Sequence, residues 1–117
     1  MNNAETIQHN GKEVLVMDIS NVPPIEVIKR IKAVEEKLVD YPLGSAYVIV
    51  FITNLSYNKI TSANLDDFSE LFEKKYIKAI VVVDESMDLP EGSAVTMENG
   101  TKIFADQNAA LNWVTSQ

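Results

Sequence analysis

The sequence contains no cysteine and a single histidine, His9, among its 117 residues. The absence of cysteine excludes disulfides, thiolate metal sites and cysteine nucleophiles, and it is typical of a reducing compartment. His9 lies beside an Asn-Gly dipeptide, and no neighbouring residue completes a catalytic triad or a metal site with it. We therefore expect His9 to lie on the solvated surface, without a catalytic role.

Glycine and positive charge are also scarce. The four glycines lie far apart in the sequence, which excludes a glycine-rich phosphate-binding loop. Ten Lys and Arg residues stand against 17 Asp and Glu residues, so the formal net charge is −7. An acidic surface with scattered cations repels nucleic acids and anionic membranes, so we expect neither as a partner.

Long hydrophobic runs are absent as well. The longest apolar run, residues 46–52, is far shorter than the roughly 20 residues that a membrane-spanning helix needs. The first twelve residues contain no basic stretch followed by an apolar one, so no signal peptide is predicted. A chain of this length buries a core without metals or disulfides. We therefore expect residues 1–117 to form one cytoplasmic domain without a cofactor, a metal or enzymatic activity.

The first half of the chain reads as a hairpin followed by a helix. Two strand-like runs meet at Asn10-Gly11, a dipeptide that favours two-residue turns, and the second run is apolar on both faces, as in an interior strand. The next segment has Asn21 as a candidate N-cap and prolines in its first turn. Its apolar residues recur at helical spacing, which predicts an amphipathic helix with Val27, Ile31, Val34 and Leu38 on its inner face.

The second half alternates buried strands with helices. "SAYVIVFIT" and "YIKAIVVVDE" are typical of central strands, and the helix between them has Asn64 as a candidate cap. Its predicted inner stripe consists of Leu65, Phe68, Leu71 and Phe72. A second Asn-Gly hairpin is predicted to pair residues 94–97 with 101–105, and Asp106 is predicted to cap a closing helix. This order predicts an α/β domain with a mixed sheet, in two or three layers.

The junction "NLSYNKITSANL" between the central strand and the second helix is the candidate functional site. It offers the hydroxyl and amide side chains of Asn54, Ser56, Thr61, Ser62 and Asn64 next to the free backbone amides of a helix start. Such a junction binds phosphate groups or a partner protein. The alternative is that these side chains only cap the helix.

Carboxylates that follow strands give two further hypotheses. Asp84, Glu85 and Asp88 are candidate metal ligands, but "DESMD" lacks the glycine and the spaced oxygen ligands of a calcium loop, so a solvated acidic loop is favoured. Asp18 and Asp84 are also placed as in phospho-acceptor receiver domains. The residue after the central strand is Asn54 instead of the acceptor aspartate, which argues against that class.

The whole pattern resembles the STAS superfamily, and within it the small stand-alone bacterial proteins called SpoIIAA-like. The segments that carry the resemblance are "NGKEVLVMDIS", "YVIVFITNLS", "KAIVVVD" and "KIFADQNAALNWV". The resemblance implies a mixed sheet of about five strands with about three helices packed largely on one face. It also implies a protein that is not an enzyme and that acts by contact with a protein partner, by self-association or by binding a small ligand.

The chain departs from this family at two places. In anti-sigma-factor antagonists the junction carries Asp-Ser-Ser or Asp-Ser-Thr followed by Gly-Leu, and the second hydroxyl is phosphorylated. Matching Leu65 to that Leu puts Thr61 and Ser62 on the first two positions and Ala63 on the phosphorylated one, so the acceptor is missing. In addition, "ESMDLPEGSAVTMENG" lacks helical periodicity where relatives have a helix.

Two functions follow as expectations. The first is a regulatory protein-interaction module of the STAS-like type without an intact phospho-acceptor motif. The second is a carrier or sensor of a small hydrophobic ligand or lipid, with an apolar pocket between helix and sheet. Aromatic residues are available for such a pocket, although the simpler role for them is to fill the core. They are Tyr41, Tyr47, Tyr57, Phe68, Phe72 and Tyr76.

Overall fold

The computed structural model describes residues 5–54, 59–97 and 100–117, and the side chains of all of these except residues 59–62. Six strands form one sheet: β1 (Glu5–His9), β2 (Lys12–Asp18), β3 (Ala46–Phe51), β4 (Ile77–Val83), β5 (Ala94–Thr96) and β6 (Lys102–Phe104). The α-helices are α1 (Pro24–Leu38), α2 (Lys59–Phe68), α3 (Lys74–Tyr76) and α4 (Gln107–Thr115). A π-helical stretch, Ser69–Glu73, joins α2 to α3, so the three form one continuous helical segment.

The strand order is β1-β2-β3-β4-β6-β5. The four inner strands are parallel to one another, and β1 and β5 pair antiparallel at the two edges. The sheet is therefore mixed, as predicted. The resemblance implied about five strands, one fewer than the six observed, and both strands of the predicted second hairpin belong to the sheet.

The sheet is covered on both faces, which gives three layers. Because successive side chains of a strand point to opposite faces, Leu15 and Met17 of β2 pack toward α1 and α2, whereas Val14 packs toward α4. The central strand β3 alternates in the same way between Val48 and Ile49. The resemblance implied helices largely on one face, and here α4 occupies the opposite one.

The predicted inner face of α1 is confirmed, whereas its predicted N-cap is wrong. Its four apolar positions from Val27 to Leu38 are fully buried, and Pro24 is its first helical residue. Pro23 occupies the N-cap, where its extended backbone directs the chain into the helix. Asn21 lies further from the helix, with a positive φ of 55°, and its side chain bonds to Asn54 instead.

Helix α2 differs from the prediction at both ends. It begins at Lys59, so Asn64 is its sixth residue and cannot be its N-cap. Toward the other end, Leu71 was predicted to face inward but is 61% exposed. The reason is the π-helical stretch, which needs about one residue more per turn than the roughly 3.6 of an α-helix and so rotates the following side chains.

Between β4 and β5 the chain forms turns and loops over residues 84–93, and no helix occurs there. The second hairpin pairs β5 with β6 as predicted, and the Met97 amide donates to the Thr101 carbonyl at 2.8 Å. The tip residues 98 and 99 lie outside the described residues. The β5–β6 hairpin therefore forms one edge of the sheet, and residues 84–93 before it contain no crossover helix.

Side chains at the tip of the β1–β2 hairpin contact the C-terminal part of α4. His9 is not simply solvated as expected, because its Nε2 atom lies 2.7 Å from Oδ1 of Asn112 on α4. The Lys12 ammonium donates a hydrogen bond to the Thr115 carbonyl at 2.5 Å. The negative end of the helix dipole favours a cation at this position. The tip of the β1–β2 hairpin thus caps the C-terminal turn of α4.

The predicted cap of α4 is present, since the Asp106 carboxylate accepts a hydrogen bond from the Asn108 amide at 2.9 Å. We predict that Asp106→Ala lowers the free energy of unfolding by about 1 kcal/mol, because the helix start loses an acceptor. Urea denaturation measures this change. Asp106→Asn retains an acceptor and should stay close to the wild type. No loss in Asp106→Ala would show that the cap contributes nothing, and equal losses in both variants would show that the negative charge, and not the acceptor, stabilises the helix start.

Candidate functional site

The first part of the candidate site is a polar corner at the carboxyl ends of β2, β3 and β4, where open α/β sheets often bind ligands. Asn54 donates from Nδ2 to Oδ1 of Asn21 at 3.0 Å, and both residues have a positive φ, of 53° and 55°. The Thr53 carbonyl accepts from the Asn21 amide, and its hydroxyl accepts from the Glu85 amide at 3.0 Å. These four residues form what we call the asparagine corner.

The junction residues predicted from sequence are only partly brought together. Asn54 lies in the asparagine corner and is exposed, whereas Ser56 lies outside the described residues. Thr61 and Ser62 are the third and fourth residues of α2, and Asn64 is half-buried two residues further along. A phosphate or partner site formed by all five residues stays a prediction.

The second part of the candidate site is an apolar groove between the α2–α3 segment and the sheet. It encloses a cavity of about 320 Å³. Ten of its thirteen lining residues are apolar, two are acidic and one is a threonine. The lining residues are Met17, Ile19, Val50, Ile52, Leu65, Asp66, Phe68, Glu73, Ile80, Val82, Met97, Thr101 and Ile103.

The groove lies where the fold lacks a covering helix. On this face β4 presents Ile80 and Val82, and β6 presents Ile103. In a parallel sheet the connection between such neighbouring strands normally carries a helix that covers the face, but here residues 84–93 form turns and loops. Among the described lining residues, only those of the α2–α3 segment and the hairpin residues Met97 and Thr101 border this part of the sheet, and Met97 is 44% exposed.

The π-helical stretch determines which side chains of the helical segment reach the groove. A π-turn places residue i+5 above residue i, so Phe68 and Glu73 share a face, whereas in an α-helix they would lie roughly 140° apart. Phe72 stacks on Phe68 with ring centroids 6.4 Å apart and packs against the core, without lining the groove itself. The same rotation turns Leu71 outward.

The electrostatics of the groove are acidic. Burial raises the pKa of Glu73 above its ordinary value of 4.5, while a hydrogen bond from Ser69 and the charge of Lys74 act in the opposite direction. Asp66 is the second acid of the lining and is exposed. Among the described lining residues there is no cation. The groove therefore contains one carboxyl group that the fold has partly removed from water.

Two other perturbed groups lie away from the groove lining. Burial raises the pKa of Glu35 on α1, with an opposing effect from Lys32 and a supporting one from Asp67 on α2. Burial and a hydrogen bond to Glu13 raise the pKa of Tyr41. Both shifts arise from packing between elements of the fold.

The carboxylates predicted as candidate metal ligands do not converge. Within the part of the chain that the structure describes, no three His, Cys, Asp or Glu side chains are grouped so that they could hold a metal ion. The Asp84 carboxylate accepts from the amide and hydroxyl of Ser86, as in a turn. No described helix is long and apolar enough to cross a membrane.

Most aromatic residues proposed for a pocket fill the core. Only Phe68 lines the groove among those described, whereas Tyr41, Phe72 and Tyr76 pack against the core on that face and Tyr47 packs on the other. Tyr57 lies outside the described residues. The sequence analysis missed Glu73 and the β4–β6 face, although the missing helix before residue 94 was the signal for the open face.

No family model, curated protein or solved structure matches this chain. The groove and the asparagine corner are therefore interpreted from their own chemistry.

The shifted carboxyl group of Glu73 gives a prediction about stability. Because its pKa is raised in the native state, its contribution to stability is full below pH 4.5 and is lost as the pH rises through the native-state pKa. Glu73→Gln cannot ionise, so its free energy of unfolding should fall less than that of the wild type across this window. Urea denaturation at several pH values measures the difference.

Glu70→Gln is the matched control, because it removes an exposed carboxylate from the same stretch, one that lies 3.5 Å from Lys74. It should leave the shape of the pH dependence close to that of the wild type. Parallel curves for the wild type and Glu73→Gln would contradict a desolvated Glu73.

Proposed function

We propose that this chain is a non-catalytic regulatory module of the STAS-like type that binds a small hydrophobic ligand in the groove beneath α2. The observation that carries the proposal is the apolar cavity of about 320 Å³ between the α2–α3 segment and the sheet. Its volume lies within the range of about 300–1,000 Å³ that is usual for small-molecule sites.

The chemistry of the lining supports a ligand with a mainly apolar body. Ten of thirteen lining side chains are apolar, and those from the sheet are held on rigid strands. An apolar ligand that covers Ile80, Val82 and Ile103 removes hydrophobic surface from water, at about 25 cal/mol per Å². The fold thus supplies a preformed apolar surface, and covering this surface lowers the free energy of the system.

A regulatory role fits the position of the groove in the fold. The groove borders the helical segment that follows the β3–α2 junction, and Ile52, the residue after β3, lines the groove two residues before the junction begins. A ligand that stabilises α2 against the sheet would thereby also affect the junction. The resemblance places Ala63 at the phosphorylated position, so ligand occupancy, and not phosphorylation, is the proposed control.

We predict that Met97→Trp abolishes ligand binding, because a larger side chain at this exposed rim position closes the groove without disturbing the core. Thermal shift measurements across a panel of lipids and metabolites test it. A ligand at 100 times its Kd should stabilise the wild type by about 2.7 kcal/mol. Leu43→Trp, at a position that is 68% exposed and outside the lining, should bind like the wild type.

A clean apo mass in native mass spectrometry, together with no thermal shift for any compound of the panel, would contradict the proposal. Equal shifts in the wild type and in Met97→Trp would place the ligand elsewhere.

A protein partner is the second candidate, and an exposed apolar side chain four residues after Asn21 favours it. Ile25, in the first turn of α1, is 67% exposed. An exposed apolar side chain close in sequence to the exposed Asn21 has the composition of a small protein-binding surface.

We predict that Ile25→Glu weakens association with a partner or a second copy by about tenfold or more, since a charge replaces an apolar anchor. Light scattering of the pure protein and pull-down from cell extract measure the association. Leu43→Glu is the control, because Leu43 is equally exposed but lies in the connection from α1 to β3. A monomeric wild type that repeatedly captures nothing would exclude this candidate.

A further inference from the structure

The groove is apolar except for its acids, and this combination restricts the ligand further than volume does. The only ionisable groups among the described lining residues are the carboxyls of Asp66 and Glu73. Asp66 is exposed at the rim, whereas Glu73 is half-buried on the π-helical stretch. A purely hydrophobic ligand would cover the Glu73 carboxyl and remove more of its water without supplying a new polar partner, which is unfavourable for the charged form.

We infer that the ligand is an amphipathic cation, an apolar body with one ammonium group, and that the Glu73 carboxylate binds this group at the inner wall of the groove. This inference rests on the proposed small-ligand function. It adds the chemical class of the ligand and the residue that recognises it.

The geometry supports this pairing because the carboxylate is already oriented and partly dehydrated by the fold. An ion pair inside a protein is weak mainly because two charged groups lose their water. Here burial already raises the pKa of Glu73, so part of the free-energy cost of dehydrating the carboxylate is present before any ligand binds. The ligand then contributes the cation that the lining lacks.

The described lining residues around Glu73 supply no cation that would occupy the place of the ligand's ammonium group. On its own helical segment, Ser69 donates a hydrogen bond to the carboxyl and Lys74 contributes a positive charge. Lys74 lies 3.5 Å from the exposed Glu70 carboxylate, on the outer side of the segment. The strands that pack opposite present Val50, Ile80, Val82 and Ile103 to the cavity, and the hairpin beyond them presents Met97 and Thr101.

Three probes with the same chain length test the inference: octylammonium, 1-octanol and octanoate. Calorimetric titration of the wild type should give binding of octylammonium at least about tenfold tighter than of octanol, as expected for a charge-assisted hydrogen bond, with octanoate weakest. Glu73→Gln should lose this preference while it still binds octanol. Glu70→Gln and Asp66→Asn should retain it, which excludes general attraction to the acidic surface.

The pH dependence gives a second readout. An alkylammonium stays charged throughout the acidic range, so octylammonium binding to the wild type should weaken as the pH falls and Glu73 takes up its proton. Octanol binding should show no such trend, and Glu73→Gln should remove the trend for octylammonium.

The outcomes separate the inference from the proposed function. If octanol and octylammonium bind equally well and both are blocked in Met97→Trp, the groove is a ligand site but the cation inference is wrong. If Asp66→Asn and not Glu73→Gln removes the preference, the assignment to Glu73 is wrong. If none of the three probes binds and the ligand panel also fails, the proposed function is wrong as well.

Discussion

The structure depends on the need to cover both faces of an apolar parallel sheet. Strands β2, β3 and β4 carry aliphatic side chains on both faces, so neither face is stable in water. Helix α1 and the α2–α3 segment cover one face, and α4 covers the other. The connection from β4 to β6 supplies no helix, so the coverage ends before the sheet does. The groove is the uncovered remainder.

The π-helical stretch gives this groove its chemical character. An uncovered aliphatic face alone attracts any apolar partner, whereas a carboxyl group in its wall discriminates among ligands. The additional residue in the helical turn brings Glu73 onto the same face as Phe68 and rotates Leu71 toward solvent. The apolar and acidic properties of the site therefore have separate structural origins, one in the topology and the other in the local winding of a helix.

The sequence predicts elements well where local spacing and buried area agree. Val27 to Leu38 recur at helical spacing and are buried, and the Asn10-Gly11 turn forms a hairpin in which both residues adopt the positive φ that few other residues tolerate. The prediction for Asn64 was wrong because amide side chains favour helix starts but also occur inside helices. That for Leu71 was wrong because hydropathy does not reveal a π-turn. The groove arises from coverage by distant segments, and its local signal in the sequence was the lack of helical periodicity before residue 94.

The π-helical stretch also has a consequence for how such a site arises during evolution. An α-helix becomes a π-turn when one residue is inserted, and the deletion of one residue reverses the change. In this chain, a helix shortened by one residue within Ser69–Glu73 would turn its acid away from the sheet and bring a leucine back toward it. A single codon gained or lost therefore separates a wall that carries a carboxyl group from an ordinary hydrophobic one, without altering the strands beneath it.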